Sequence, residues 1–480
     1  MILCLTIGIF LFNQNVISIN VKDVTYKIEV KDIKKQIQNS YHRYWIRRFG
    51  GEKEDGIDFL IKTYDNYFVA AGETYSYGAG DFDVAVFKFD NIGNIIWGKS
   101  IGGTGKDWAY SLIETSDHYY ILSGYTSSFG AGSNDGLVIK LDSNGDLKWA
   151  KTYGGSGNDI YYANIELDDG SILLAGSTYS KGTSGDFWIT KINSFDGSIV
   201  WNKHFGGNSS DIIRSVDKFP NGFVLAGYSA SFGAGSDDIF VASFSNSGVI
   251  NWAKTYGGNN RELSRYGSIK KTDPSGFIVT GYSSTYSNGA KLDGLILKID
   301  QSGDKVWFKR YYNDYGLWFM PISELSNGNF LVGGSYIPLE SSKRDYLICL
   351  LNSEGENIKS VTYRGEGLDE IYSNVVSYDG YYFAGDIQLN SDDLDDINIL
   401  KFDFNLNIPG SDCNGLEEVT LNYEDTDLTI NSPSLNLYDW NDIQVNSQTL
   451  QVNSFIAKEY LCQSYIDLSL IKTVDKENPN

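Results

Sequence analysis

Residues 107–154 read DWAYSLIETSDHYYILSGYTSSFGAGSNDGLVIKLDSNGDLKWAKTYG, and the fold follows from this stretch. Residues 108–114 form a first strand, and Thr115-Ser116-Asp117-His118 turns the chain into a second, residues 119–125. The Gly-rich loop Ser128-Phe129-Gly130-Ala131-Gly132 leads to a third, residues 137–141. The hairpin Asp142-Ser143-Asn144-Gly145 then gives a fourth, residues 147–153. Asp, Asn and Gly tolerate the backbone angles of tight turns, and aromatic and β-branched residues suit the pleated surface between them. The unit is one small antiparallel sheet with no helical periodicity.

The unit recurs. Trp45, Trp97, Trp149, Trp201, Trp252 and Trp307 follow one another at 52, 52, 52, 51 and 55 residues. A seventh unit lacks its Trp, and its residues 359–363 align with 149–153. A period near fifty made of four strands predicts an all-β, seven-bladed β-propeller over residues 43–410. Full units begin near Asp55, Asp107, Asp159, Asp211, Glu262 and Gly316. The seventh begins at Asp369 and supplies only three strands, the last over residues 397–402. Its fourth strand is expected from the other end of the chain, in Tyr44-Trp45-Ile46-Arg47-Arg48-Phe49, because a ring cannot leave that edge unpaired.

The W-x-K-x-Y-G-G, D-G-x-x-x-A-G and D-x-x-G-x-x-x-W elements resemble those of the secreted β-propeller repeat proteins of bacteria and archaea. The resemblance covers roughly residues 43–410 and implies architecture alone, since propellers host enzymes, lectins, adhesins and scaffolds. The run from Lys140 to Trp149 is also similar to the Trp-docking repeat of quinoprotein dehydrogenases. Those usually have eight blades, whereas seven units are present here, with no vicinal cysteine pair. The recurrent Trp residues are expected to pack between blades, their indole N–H groups bonded to the neighbour.

Outside the repeat, residues 1–12 are apolar and too short to span a bilayer. They fit the core of a secretory signal peptide (residues 1–18) cleaved after Ser18, or an uncleaved anchor, and place the chain outside the cell or on its surface. Residues 19–42 are a leader to the first blade. Residues 411–480 break the period and alternate apolar with polar residues, as in Ile443-Gln444-Val445-Asn446-Ser447, which predicts a small C-terminal β element. Cys413 and Cys462 flank it and could form a disulfide in an oxidising compartment. Cys349 lies in an apolar strand and is expected to be a packed thiol. The net charge is −22, and residues 369–480 hold 21 acidic residues against four lysines. Such a field argues against nucleic acid and anionic lipid as partners.

Two acidic series recur. Asp83, Asp135, Asp186, Asp238, Asp293, Asp345 and Asp396 open the third strands. Asp55, Asp107, Asp159, Asp211, Glu262 and Asp369 open the first strands. Both are expected on one face of the disc. Clustered carboxylates could bind calcium or sugar hydroxyls, but a repeated turn needs its Asp each time, and the structural role is the stronger expectation. The Asp142–Asp146 hairpin resembles a calcium loop without the bidentate Glu, and turn chemistry explains it. His42, His118 and His204 occupy unrelated positions and support neither a metal site nor a catalytic relay. No catalytic residue, cofactor or metal ligand is assigned. The sixth unit departs furthest from the pattern, and its Tyr312, Asp314, Tyr315 and Trp318 are the candidate ligand-binding residues, able to stack on a sugar or anchor a protein. The functional expectation is a non-catalytic binding or assembly module for surface glycans or proteins, including copies of itself. The alternatives are a propeller enzyme of carbohydrate or quinone-dependent redox chemistry, with paired carboxylates aimed into the central channel or a bound cofactor, and a surface-layer or filament subunit.

Overall fold

The computed structural model describes residues 45–407, apart from 183, 275, 287–290, 339–342, 365–366 and 389–394. It also describes strands Val16–Val21 and Val24–Glu29, and residues 416–426, 429–433, 435, 438–439, 444–447, 451–454 and 458–461 of the tail. Seven four-stranded antiparallel sheets form a closed β-propeller. Blade 2 is representative: strands Asp107–Glu114, Tyr120–Thr126, Asp135–Leu141 and Leu147–Gly154 run from the central channel to the rim. Strand Trp45–Gly50 completes blade 7 by pairing with Asp396–Phe402, so the two ends of the repeat close the ring. No helix among the described residues is long and apolar enough to cross a membrane.

The blades are held by side chains between them. Seven hydrophobic clusters occupy the seven junctions, the one between blades 1 and 2 joining Val84, Val86 and Ile101 to Leu112, Leu122 and Leu137. Each fully buried aliphatic side chain contributes about 1.5–3 kcal/mol, so the cores carry the fold. The recurrent Trp sets how one blade sits on the next. The Trp97 indole N–H donates to the Ser143 carbonyl at 3.2 Å, that of Trp149 to Phe195 at 3.0 Å and that of Trp252 to Gln301 at 2.7 Å. The ring of Trp97 rests on Gly145, whose φ is +79° and where a Cβ would lie 2.9 Å away. Turn and docking thus both demand the Gly of the D-x-N-G hairpin.

The junction between blades 7 and 1 is built like the others. Trp45 donates to the Asn91 carbonyl at 3.1 Å, and Phe68 stacks on Tyr382 at 4.0 Å. Cys349 is a buried free thiol in blade 6, its pKa pushed up to about 12 by burial. Cys413, Cys462 and the first twelve residues lie outside the described residues. The described hairpin of Val16–Val21 with Val24–Glu29 spans the expected cleavage position.

The tail takes a form its alternation did not specify. The β element is docked on the propeller: its strands circle the disc, and each pairs with the outer strand of one blade. Leu416–Glu418, Asn422–Asp425, Thr429–Asn431 and Tyr438–Asp439 pair with blades 6, 5, 4 and 3. Gln444–Ser447, Gln451–Ser454 and Lys458–Leu461 follow on blades 2, 1 and 7. Leu416, Tyr423 and Ile430 face Tyr363, Tyr311 and Tyr256, the same place in three successive blades, so the strap advances seven residues per blade there. The strap meets each blade through backbone hydrogen bonds to an otherwise open edge, which explains how a low-complexity sequence suffices. Where side chains are described it is also charge-matched: Lys309 lies 2.8 Å from Asp425 and Arg310 2.8 Å from Glu424.

Candidate functional site at the channel mouth

The acidic series fix the loops that frame the channel. Asp107 accepts the Gly103 N–H at 2.7 Å and the Ser128 hydroxyl at 2.6 Å, and Asp159 does the same with Gly155 and Ser180. In the second series, Asp135 accepts from Ala131 and Gly132, and Asp238 from Ala234 and Gly235. Where the G-A-G loop is absent a basic side chain substitutes: His204 lies 2.9 Å from Asp186, and Arg310, Arg364 and Arg48 donate to Asp293, Asp345 and Asp396. These carboxylates bond within their own blades. Among the described residues no three His, Cys, Asp or Glu side chains are placed to share a metal ion.

The variable chemistry lies on the inner strands. In blades 1, 2, 3, 4 and 7 the register slips by one residue, at Asp58, Tyr110, Tyr162, Arg214 and Tyr372. A β-bulge leaves one residue unpaired and re-aims its side chain, and here the bulged positions line the axis. Blade 6 bulges at Met320 and Pro321. Blade 5 goes furthest: its inner strand breaks into Glu262–Leu263 and Ile269–Lys271, and the intervening residues carry Arg265 and Tyr266 inward. The sixth unit, the most divergent in sequence, keeps four complete strands. The backbone irregularity falls in the fifth, whose first strand starts 15 residues before its second against 13 in blade 2, taking two of the three residues by which the 55-residue interval exceeds 52.

Tyr266 plugs the channel. Its ring stacks on Tyr110 of blade 2 at 5.6 Å and meets Tyr162 of blade 3 at 6.3 Å and Tyr372 of blade 7 at 6.2 Å. Its hydroxyl accepts from Arg214 of blade 4 at 2.8 Å, and that guanidinium lies 3.9 Å over Tyr162. Trp108 stacks on Tyr125, and the ring of Tyr282 meets buried Trp318.

The wall formed by blades 1 and 7 is acidic. Asp58 accepts the Trp108 indole N–H at 2.6 Å, and Asp386 accepts the Ile57 N–H at 2.9 Å. Glu73 faces Gly56 across the strand pair. Burial holds the Asp58 carboxyl up to about 7, against the pull of Trp108, Glu73 and Arg214. Burial, then the charges of Asp58 and Asp386, pushes Glu73 well above the carboxylate range; burial and then Asp58 do the same to Asp386. Glu54 and Asp395 add negative charge nearby. Glu370 is ion-paired with Arg344, whose guanidinium lies 4.7 Å over Trp318.

The four residues singled out in the sixth unit do not form one cluster. Trp318 is buried with Leu263, Tyr282 and Met320. Tyr312 ends an outer strand, faces Asn422 of the strap and lies 4.5 Å under the Arg310 guanidinium. Asp314 is exposed in the loop between them, and Tyr315 lies beneath the Lys291 ammonium at 5.5 Å. Sequence reasoning missed Asp58, Glu73, Trp108, Arg214 and Tyr266. For Asp58, Trp108 and Arg214 the signal was available as the positions one and three past the first-strand acid, where the units disagree; Glu73 lies on a second strand and Tyr266 four past Glu262, outside that pattern. A cavity of about 450 Å³ opens between blades 4 and 5 on the opposite face, with Phe219, Trp252, Lys271 and Phe277 in its lining.

No protein-family model matches the chain. The regulatory protein FlaEY of Caulobacter vibrioides is 24% identical over 163 residues, 28% of this chain and 17% of that protein. The chain therefore matches less than a fifth of that curated relative's length. Among solved structures, Sqt1 from Chaetomium thermophilum has a TM-score of 0.41 at 10% identity, covering 74% of this chain and 98% of its own. The endosialidase of phage phi92 has a TM-score of 0.39 at 11% identity, covering 75% and 68%. The endo-1,5-alpha-L-arabinanase from Thermotoga petrophila has a TM-score of 0.27 at 10% identity, covering 74% and 100%. These likenesses are too distant to assign a function.

Proposed function

We propose that this chain is a secreted or surface-displayed recognition propeller that takes a glycan into the channel mouth. One observation carries the reading: the framing carboxylates repeat around the ring, whereas the inner-strand positions change from blade to blade into Trp, Tyr, Arg and acid. A repeated turn needs symmetry, and a binding site for an asymmetric ligand needs its loss. Tyr and Trp faces stack on sugar rings, and the flanking charged groups can accept from or donate to hydroxyls. The strap, paired with the chain's own blades, supports a self-contained module over a strand-exchanged filament.

A glycan panel read by calorimetry tests this. Binding by the wild-type chain that falls at least about tenfold in both Trp108→Ala and Trp318→Ala is expected, the size of a lost aromatic anchor. Loss in neither variant would move the site elsewhere, and the cavity at Trp252 would be next. A second reading, cleavage of a glycosidic bond, is favoured by Asp58, a carboxyl held near 7 beside Glu73 as a general acid requires. Shortened products from a bound oligosaccharide, abolished in Asp58→Asn, would establish it.

A further inference from the structure

We infer that the cavity between blades 4 and 5 is a second binding site, and that it takes a sugar ring carrying a carboxylate, as a hexuronic acid does. It lies on the face opposite the channel mouth and does not rest on the reading of that mouth.

Two clamps cross other junctions on this face. The first is a third-strand lysine that pairs in register with the recurrent Trp: Lys88, Lys140, Lys191 and Lys401. Each lies 2.6–3.6 Å from an acid in its own blade's first hairpin: Asp65, Asp117, Asp169 and Asp379. Each also bonds to the next blade, at Tyr120, Ser194, Asn246 and Asn91. In blade 4 the residue facing Trp252 is Ser243, and the hairpin Phe219-Pro220-Asn221-Gly222 holds no acid. The second clamp is a glutamate at the end of a first strand. Glu114, Glu166 and Glu324 accept the backbone N–H of Tyr64, Ser116 and Asp273 in the preceding blade at 2.8–2.9 Å. In blade 5, Lys271 holds the glutamate's place in the register. In blade 4, Pro220 holds the place of Tyr64, Ser116 and Asp273 and has no N–H to give. Each clamp has gone together with its partner, and the cavity is the space they leave. Its volume of about 450 Å³ suits a small-molecule site.

The residues that replace the clamps define the ligand. Phe219 meets Phe277 edge-on at 5.7 Å, and Trp252 lies 6.4 Å from the same ring, which gives the cavity an aromatic wall. Asn251 stands where Ile96, Val200 and Val306 precede their Trp, and its amide donates to Ser243 at 3.1 Å. Its carbonyl and the Gln301 side chain are left for hydroxyls. Lys271 is the one charged residue in the lining, and among the described residues its ammonium makes no ion pair or hydrogen bond. An aromatic wall, amide edges and a single cation match a pyranose with a carboxylate. A cationic sugar would meet Lys271 as a like charge, with no carboxylate in the lining to offset it. The net charge of −22 opposes every anion at long range, so a preference for an acid needs this local cation.

The test measures binding of galacturonic, glucuronic and mannuronic acid tetramers to the full chain by calorimetry, each beside its methyl ester, which keeps the rings and loses the charge. At least one acid is expected to bind, at least about tenfold more tightly than its ester. Lys271→Gln, at an exposed position, should bring acid and ester to within about threefold and leave the ester's affinity unchanged. Ser243→Lys with Asn221→Asp refills the place as Lys401 and Asp379 fill theirs, and should abolish binding of both forms. Trp108→Ala should leave both unchanged. Equal affinity of acid and ester, a preference that persists in Lys271→Gln, or binding retained in a folded, refilled chain would overturn the inference. So would failure of all three acids to bind, which leaves the reading of the mouth to the neutral glycans. Loss of acid binding in Trp108→Ala would overturn it by moving the acid to the mouth. Should the refilled chain melt early, Lys271→Gln decides alone.

Discussion

The outer rim and the inner rim of the disc are built from the same repeated sheet and finish it in opposite ways. At the outer rim every fourth strand is covered by a short strand of the strap, and the contact is a backbone ladder. At the inner rim the first strands have no such cover; they bulge, and their side chains meet across the axis. A ladder asks little of sequence, so the strap can be low in complexity and the strands beneath it can stay alike. A bulge releases one side chain per blade from pairing, so those positions can diverge without disturbing the sheet. The molecule therefore keeps symmetry at the rim that the strap covers and loses it at the rim proposed to take a ligand.

Removing the closing strand should break this division most severely. Deletion of residues 41–49 withdraws buried Trp45, Ile46 and Phe49 from blade 7, at a cost of about 2–5 kcal/mol for each large core side chain. The expected outcome is aggregation or loss of a cooperative melt, and an unchanged melt would refute closure by this strand. Deleting residues 411–480 should act less severely and only at the outer rim. The seven uncovered edges predict a lower melting temperature and concentration-dependent oligomers by light scattering, with binding at the mouth retained. Loss of binding there would show that the two rims are coupled.

The inner rim can be probed by pH. Asp58 is held up to about 7, with Glu73 and Asp386 also raised. The folded chain thus keeps protons that the unfolded chain has released. The stability this confers is full below the ordinary carboxylate range and is lost as pH rises through about 7. Thermal melts from pH 5 to 8 should fall, and Asp58→Asn should flatten part of that slope, by on the order of 2 kcal/mol; an unaltered slope would contradict the burial of this carboxyl as a proton holder. The smallest effect is expected between the rims, where Trp97 rests on Gly145. Gly145→Ala should cost about 1–2 kcal/mol for the left-handed backbone and the crowded ring, read as a lower melt with binding unchanged.

Much of the fold was legible because it repeats. The Trp spacing, the D-x-N-G hairpins and the orphan strand at residues 44–49 each express a backbone requirement, and such requirements recur wherever the backbone does. The tail was legible as strand and not as strap. Its duplicated Gln-Val-Asn-Ser, at residues 444–447 and 451–454, carries the seven-residue step, but an edge ladder leaves no side-chain signature of its partner. The site was the least legible. Trp318 stood out because its whole unit diverges, whereas Asp58, Tyr110 and Arg214 sit in units that otherwise conform.

The sequence by itself determined the number of blades, the way the ring closes, and the turn that seats each Trp on its neighbour. Those are local rules, written once per unit and read by comparing units. Only the tertiary structure decided that the break between Glu262–Leu263 and Ile269–Lys271 in one inner strand sends Tyr266 across the axis to Tyr110, that acids from blades 1 and 7 share one wall, and that the strap circles the rim. Each of these brings together residues from different blades, and such meetings depend on the closed ring rather than on any stretch of chain.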